Sequence, residues 1–244
     1  MVINAGYMVL TEIKKGQTGT GLLIENDGYV SLDMPENKIL RESFDIDGPG
    51  RISPKDLPNP FIVSAVFQKF GIENANGRVY PEETLKSAVQ KYMENVRDRR
   101  GYGELNHPSE STIDLGRVAM NIVDLSWQAH TLVGKMEIPI SEGFRNLGIV
   151  STCADMLAQW LISGLKVGVS SRGLGSVEKV FNKLVVGSDY EIVCWDVVSQ
   201  PSTPLAFIGM NDGELSPYIE NKQTDKAPVN ENKYEKFDKW LLKS

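Results

Sequence analysis

One long amphipathic stretch set among short β-branched runs most narrows the folds open to this chain. Between Pro81 and Gly101, the residues Leu85, Ala88, Val89, Tyr92, Met93 and Val96 recur at helical spacing and make one apolar stripe. Pro81 suits the first helical position, Glu82 and Glu83 suit the positive N-terminal end, and Arg97, Arg99 and Arg100 fall in the last turn. Elsewhere the apolar runs are short and extended in character. Phe61 to Phe67 is β-branched and aromatic. Leu132, Gly134, Met136 and Ile138 alternate with Thr131, Lys135 and Glu137, with Val133 among the latter. Lys166 to Ser170, Lys183 to Val186 and Tyr190 to Val198 read as further strands. A second helix is expected to begin near Thr152, with Asp155 completing a capping box, Leu157, Trp160, Leu161 and Leu165 buried, and Gly164 as its end. The expected class is α+β, with strands in the majority and two main helices.

Three regions are expected: a turn-rich N-terminal segment of strands and loops (1–60), a central domain (61–210), and a polar tail with a short terminal helix (211–244). A chain of 244 residues with 41% hydrophobic content can bury one full core. A net charge of −6 argues against non-specific binding to nucleic acid or anionic lipid, both of which need a basic face. Two cysteines, Cys153 and Cys194, make no disulfide framework and suit a reducing compartment. No secretory leader is read at Met1–Gly6, and no apolar run reaches the ~18 residues of a membrane span. No membrane partner is therefore expected.

Histidine filters the chemistry. The chain has only His107 and His130, no His-Glu-x-x-His or Cys-x-x-Cys spacing, and no phosphate-binding glycine loop, so neither a metal nor an organic cofactor is expected. His107 sits in Gly103-Glu104-Leu105-Asn106-His107-Pro108, a tight turn at an edge; it is a candidate base or a loop histidine bonded to backbone. His130 shares the parity of Leu132 and reads as a partly buried structural histidine. Ser170 lies in Val167-Gly168-Val169-Ser170-Ser171-Arg172-Gly173-Leu174-Gly175. Strand parity places Ser170 opposite Val167 and Val169, towards a cleft, and turns Ser171 inward. The glycines around this pair suit a loop whose backbone approaches a reacting group. Asp196 lies in the apolar run Ile192–Val198, where a carboxylate must have a partner. That partner is His107, or else Arg172, Arg117 or backbone N–H groups.

Together, Gly103–Pro108 and Gly168–Ser176 resemble the two signature segments of the prohead proteases of T-even-type phages. Asn74-Ala75-Asn76-Gly77-Arg78-Val79-Tyr80-Pro81 resembles that family as well, as does Trp195-Asp196 followed by Pro201-Ser202. The resemblance implies a capsid maturation serine protease related to herpesvirus assemblin, with a small β-barrel core and flanking helices. It implies His107 as base and Ser170 as nucleophile, with backbone N–H groups of Ser171, Arg172 and Gly173 at the oxyanion. Assemblin uses a second histidine as third member, downstream of its nucleophile; the comparable place here holds Asp196, with Glu104 as main rival and Asp114 and Asp124 behind it. An isosteric amide at position 196 is expected to slow cleavage and leave stability near-unchanged. The implied partners are capsid and scaffold precursor proteins as substrates and further copies of the chain in a homo-oligomer, inside the assembling prohead in the host cytoplasm. No specific nucleic acid is implied.

The resemblance also implies cleavage after glutamate, in a pattern of aliphatic-or-small residue, any residue, Glu. The chain carries that pattern at Leu10-Thr11-Glu12, Leu23-Ile24-Glu25, Leu40-Arg41-Glu42 and Ile140-Ser141-Glu142. The first three are expected to be open to self-cleavage and the last protected. A catalytically silent scaffold component with the same fold, and an unrelated hydrolase with similar motifs, are the alternatives.

Overall fold

β-branched and aromatic runs assemble into one nine-stranded sheet among the described residues of this computed structural model, which are 11–30, 34–40, 52–108 and 111–199. The strands are β1 (Gly19–Val30), β2 (Ile62–Lys69), β3 (Arg78–Val79), β4 (Tyr102–Glu104), β5 (Val118–Gln128), β6 (Thr131–Glu137), β7 (Gly168–Val180), β8 (Lys183–Val186) and β9 (Glu191–Val198). Their spatial order is β3-β8-β7-β1-β2-β6-β5-β4, and β9 also pairs with β7. Among the described residues, helices α1 (Glu82–Arg97), α2 (Glu142–Leu147) and α3 (Cys153–Ile162) flank them. The α+β class expected from the sequence is the class observed.

The sheet curls. β4 ends the strand order, yet Leu105 just beyond it forms a parallel bridge with Val197 of β9, and the Asn106 N–H donates to the Val197 carbonyl at 2.8 Å. One bridge spans that seam where a closed barrel would have a ladder, so the expected small closed barrel is not what the strands form.

Four sequence expectations change. β1 is inserted between β7 and β2, so residues 19–30 belong to the same sheet as strands beyond residue 60, and no division falls at 60/61. The serine- and glycine-rich segment is the middle of β7, paired with β1 on one side and β9 on the other. Pro81 precedes α1 as its N-cap. His130 is exposed in the turn between β5 and β6, because its backbone serves that turn and the strand alternation starts only at Thr131. The polar tail lies outside the described residues.

The core forms where α1 meets the sheet. Leu85, Ala88, Val89, Tyr92 and Val96 are buried as the stripe predicts. Trp195 of β9 is fully buried, edge-on to Phe67 of β2 (5.4 Å) and to Tyr92 of α1 (5.0 Å). These contacts seat β9, and with it the neighbouring Asp196. α3 is fixed at its start: Thr152 caps the Asp155 N–H, and the Asp155 carboxylate accepts N–H groups from Ser141, Ser151 and Thr152.

Gly173 explains one signature glycine. A Cβ there would stand 2.5 Å from the Tyr190 ring and 2.7 Å from the Glu191 carbonyl. Gly173→Ala is therefore expected to lower stability by about 1–3 kcal/mol through overpacking. A melting curve unshifted from that of the parent would contradict this.

Candidate active site

Strand register brings the reacting groups together. Ser170 of β7 lies directly across from Asp196 of β9, so their side chains share one face. His107 arrives from the seam between β4 and β9. Asn106 just before it has a left-handed backbone (φ 69°), which asparagine tolerates, and its N–H is tied to Val197. The result is a chain of contacts: Ser170 Oγ is hydrogen-bonded to His107 Nε2, and His107 Nδ1 lies 2.9 Å from Asp196 Oδ2. The His107 side chain keeps 16% of its surface accessible, whereas Ser170 and Asp196 have none.

Asp196 is heavily solvated by protein donors. Besides His107, it accepts from the Glu104 N–H at 3.0 Å and from Arg172 Nε at 3.0 Å. Burial pushes its carboxyl up, but the His107 hydrogen bond, the Arg172 charge and the Glu104 N–H outweigh this and hold it below the usual carboxylate range. Burial and then the Asp196 charge push the Cys194 thiol up, so it remains an S–H that donates to Asp196 Oδ1 at 3.3 Å.

The rivals for third member stand elsewhere. Glu104 is fully buried against Arg172, Asp114 caps the turn Leu115–Arg117, and Asp124 is exposed on β5. Of the partners named for Asp196, His107, Arg172 and a backbone N–H, that of Glu104, are present together, while Arg117 stands by Glu104 instead. Ser171, Arg172 and Gly173 lie inside the sheet, opposite β1 residues on one side and β9 residues on the other. Amides in a ladder are already committed, and only a register shift between Arg172 and Gly173 on the β9 side interrupts it. These residues thus lie on strand backbone, where the sequence reading placed a loop.

Beside the pair lies a cavity of about 670 Å³. Leu105, Trp160, Val167 and Val198 wall it, and Arg117 and Lys166 add positive charge. The helical spacing predicts Trp160 and Leu165 on a buried helix face; Leu165 is half exposed at this cavity, beyond the end of α3. Nothing in the sequence periodicity marks it, because its walls come from five separate segments. Among the described residues, no cluster of His, Cys, Asp and Glu is arranged to hold a metal, and no helix is long and apolar enough to cross a membrane.

A serine hydroxyl on an imidazole that is in turn held by a buried carboxylate is the arrangement of serine hydrolases of the Ser-His-Asp type. Residues 22–215 match the family described as "Prohead core protein serine protease", and the chain belongs to that family. It is 32% identical over 149 residues to the prohead core protein protease of Enterobacteria phage T4, a stretch covering 60% of this chain and 66% of the relative. The match thus spans just under two thirds of that relative's length. The structure of the bacteriophage T4 capsid assembly protease superimposes with a TM-score of 0.56 at 23% identity, covering 73% of this chain and 98% of the other, which is a likeness of fold.

Proposed function

We infer that this chain is a serine endopeptidase that cuts scaffold and capsid precursor proteins as a phage prohead matures. The observation that carries the reading is the continuous Ser170–His107–Asp196 contact. In this mechanism Ser170 Oγ attacks the scissile carbonyl while His107 Nε2 takes its proton, giving a tetrahedral intermediate. His107 then gives that proton to the leaving amine as the C–N bond breaks, which leaves the acyl-enzyme, and water attacks it by the same steps to release the acid and restore the Ser170 hydroxyl. Asp196 holds the tautomer with the proton on Nδ1 and stabilises the imidazolium. The curled sheet, with β4 returning to β9, supports kinship with the assemblin barrel. The names of the T4 relatives support capsid and scaffold proteins as substrates, and action inside the prohead within the host cell. A homo-oligomer is part of the same reading.

The test is labelling of Ser170 by a serine-directed phosphonate together with cleavage of a cognate capsid precursor. A silent scaffold component would show neither.

Cleavage after glutamate is proposed too; Arg117 and Lys166 beside the cavity supply charge that a substrate carboxylate would need. The fold revises which of the chain's own sites are open. Glu25, in the middle of β1, is buried and accepts hydrogen bonds from Arg78, Tyr80, Asn74 and Asn76, which also accounts for the Asn74–Tyr80 signature. It is not available in the folded chain, contrary to the sequence expectation. Glu12 keeps 34% of its side chain accessible, while residues 41 and 42 lie outside the described residues. Mass spectrometry of protein incubated under native conditions is expected to find termini after Glu12 and none after Glu25. Termini mainly after Lys, Arg or aromatic residues would remove the glutamate preference.

A further inference from the structure

Arg172 stands two residues beyond Ser170 on β7, and the pleat turns both side chains to the same face. Its guanidinium is wholly buried. Nε donates to Asp196 Oδ2 at 3.0 Å. Nη2 lies 2.8 Å from Glu104 Oε1, 3.0 Å from Cys194 Sγ and 3.3 Å from Asp196 Oδ1, and Nη1 lies 3.3 Å from the Thr112 carbonyl. Glu104 is wholly buried too. Its backbone N–H donates to Asp196 Oδ1, and its carboxylate accepts the Asp114 N–H at 3.1 Å and lies 3.6 Å from Arg117 Nε.

A guanidinium against Asp196 complicates the chemistry. Asp196 Oδ2 faces His107 and Arg172 alike, so its charge is shared between them. Arg172 and Asp196 alone would neutralise each other. The imidazolium formed when His107 takes the Ser170 proton would then meet no net counter-charge in a buried site. Glu104 restores it. Among the wholly buried side chains, one cation between two carboxylates leaves one net negative charge, which the imidazolium cancels; Arg117, 3.6 Å from Glu104, is partly exposed, so solvent screens its charge. The planar fork of Arg172 meanwhile holds the Asp196 carboxylate in one orientation, which a point-charge ammonium would not do as well. Cys194 adds no charge, because its thiol is pushed up by burial and by Asp196. The other groups facing the cluster are Arg117 and Asp114 of the 115–117 turn and the buried Tyr92 phenol of α1, itself pushed up by burial.

We propose that Arg172 and Glu104 act together as positioning residues for the reaction. Arg172 fixes the Asp196 carboxylate towards His107, and Glu104 offsets the Arg172 charge so that Asp196 keeps its own for the imidazolium. This rests on the protease reading above.

The experiment follows labelling of Ser170 by a serine-directed phosphonate across pH, recording the saturating rate and the half-saturating concentration. Labelling of the parent protein at Ser170 secures the protease reading first; its absence would sink that reading and this one with it. Glu104→Gln is close to isosteric and keeps the backbone N–H to Asp196. It is expected to lower the saturating rate roughly tenfold at unchanged half-saturation. It should also move the acid limb of the profile about one unit lower, since losing a nearby anion disfavours the protonated base. Arg172→Lys keeps the cation and loses the fork, so the saturating rate should fall while the acid limb stays in place. It reads the fork independently of how well Glu104→Gln folds. Parental rates and an unmoved acid limb in folded variants, even with lower melting temperatures, would show a merely structural ion network and overturn the proposal.

Discussion

Ser170→Ala is expected to abolish cleavage of a cognate capsid precursor, while Ser171→Ala keeps measurable activity. The two serines are neighbours on β7, so the pleat sends their hydroxyls to opposite faces. Only Ser170 Oγ reaches His107 Nε2. The Ser171 side chain faces the other side, towards the buried Tyr190 phenol. Loss of a serine nucleophile costs on the order of 10⁶ in kcat, which puts residual cleavage below detection. Loss of the buried Ser171 hydroxyl should cost about 1 kcal/mol of stability and little of the rate. The two purified variants are compared for precursor cleavage at equal folded concentration. A dead Ser171→Ala beside a Ser170→Ala that still cuts would reverse the assignment.

The residues that line up here were legible in the sequence to different degrees. Parity alone separated Ser170 from Ser171, because strand alternation is a local rule that needs no tertiary knowledge. The capping box at Thr152 and the apolar stripe of α1 are local in the same way. The glycines around Ser170 misled, since a glycine demanded by a loop and one demanded by a neighbouring ring look alike in sequence. Gly173 is there for Tyr190, which lies on another segment. β1 was not legible as part of the sheet, because its partners lie far along the chain and its turn residues mask the pairing. The bond between Asp196 and His107 could be named only as one of several options. A buried carboxylate announces that it has partners, and register across β7 and β9 decides which they are. Arg172 could be named as one option for Asp196, but its second carboxylate, Glu104, comes from a distant strand and carried no local signal.

Asp196→Asn is expected to slow precursor cleavage by at least ~10²-fold, approaching the ~10⁴ seen when a triad loses its orienting acid. The structure changes one part of the expectation for this variant. With only His107 as partner, an amide of the same shape would leave stability near-unchanged. Both Asp196 oxygens, however, accept from donors: His107 and Arg172 Nε at Oδ2, and the Glu104 N–H and Arg172 Nη2 at Oδ1. An asparagine has one acceptor end, so its NH₂ must face donors whichever way it turns. With the NH₂ towards His107, the imidazole is driven to the tautomer that leaves Nε2 protonated and unable to accept from Ser170. With the NH₂ towards Glu104, buried donors there lose their acceptor, at about 1–3 kcal/mol each. The variant should therefore melt at lower temperature as well as cut slowly. The Asp196 carboxyl is held below its ordinary range, so its contribution to stability is present above the unfolded carboxylate pKa and is lost as pH falls through the folded one. The destabilisation of Asp196→Asn relative to the parent should shrink as the solution is acidified. Rates are compared well below both melting temperatures, per folded molecule. Full activity there would remove Asp196 from the mechanism, and a melting temperature equal to the parent's would mean that Arg172 and the Glu104 N–H do not depend on its charge.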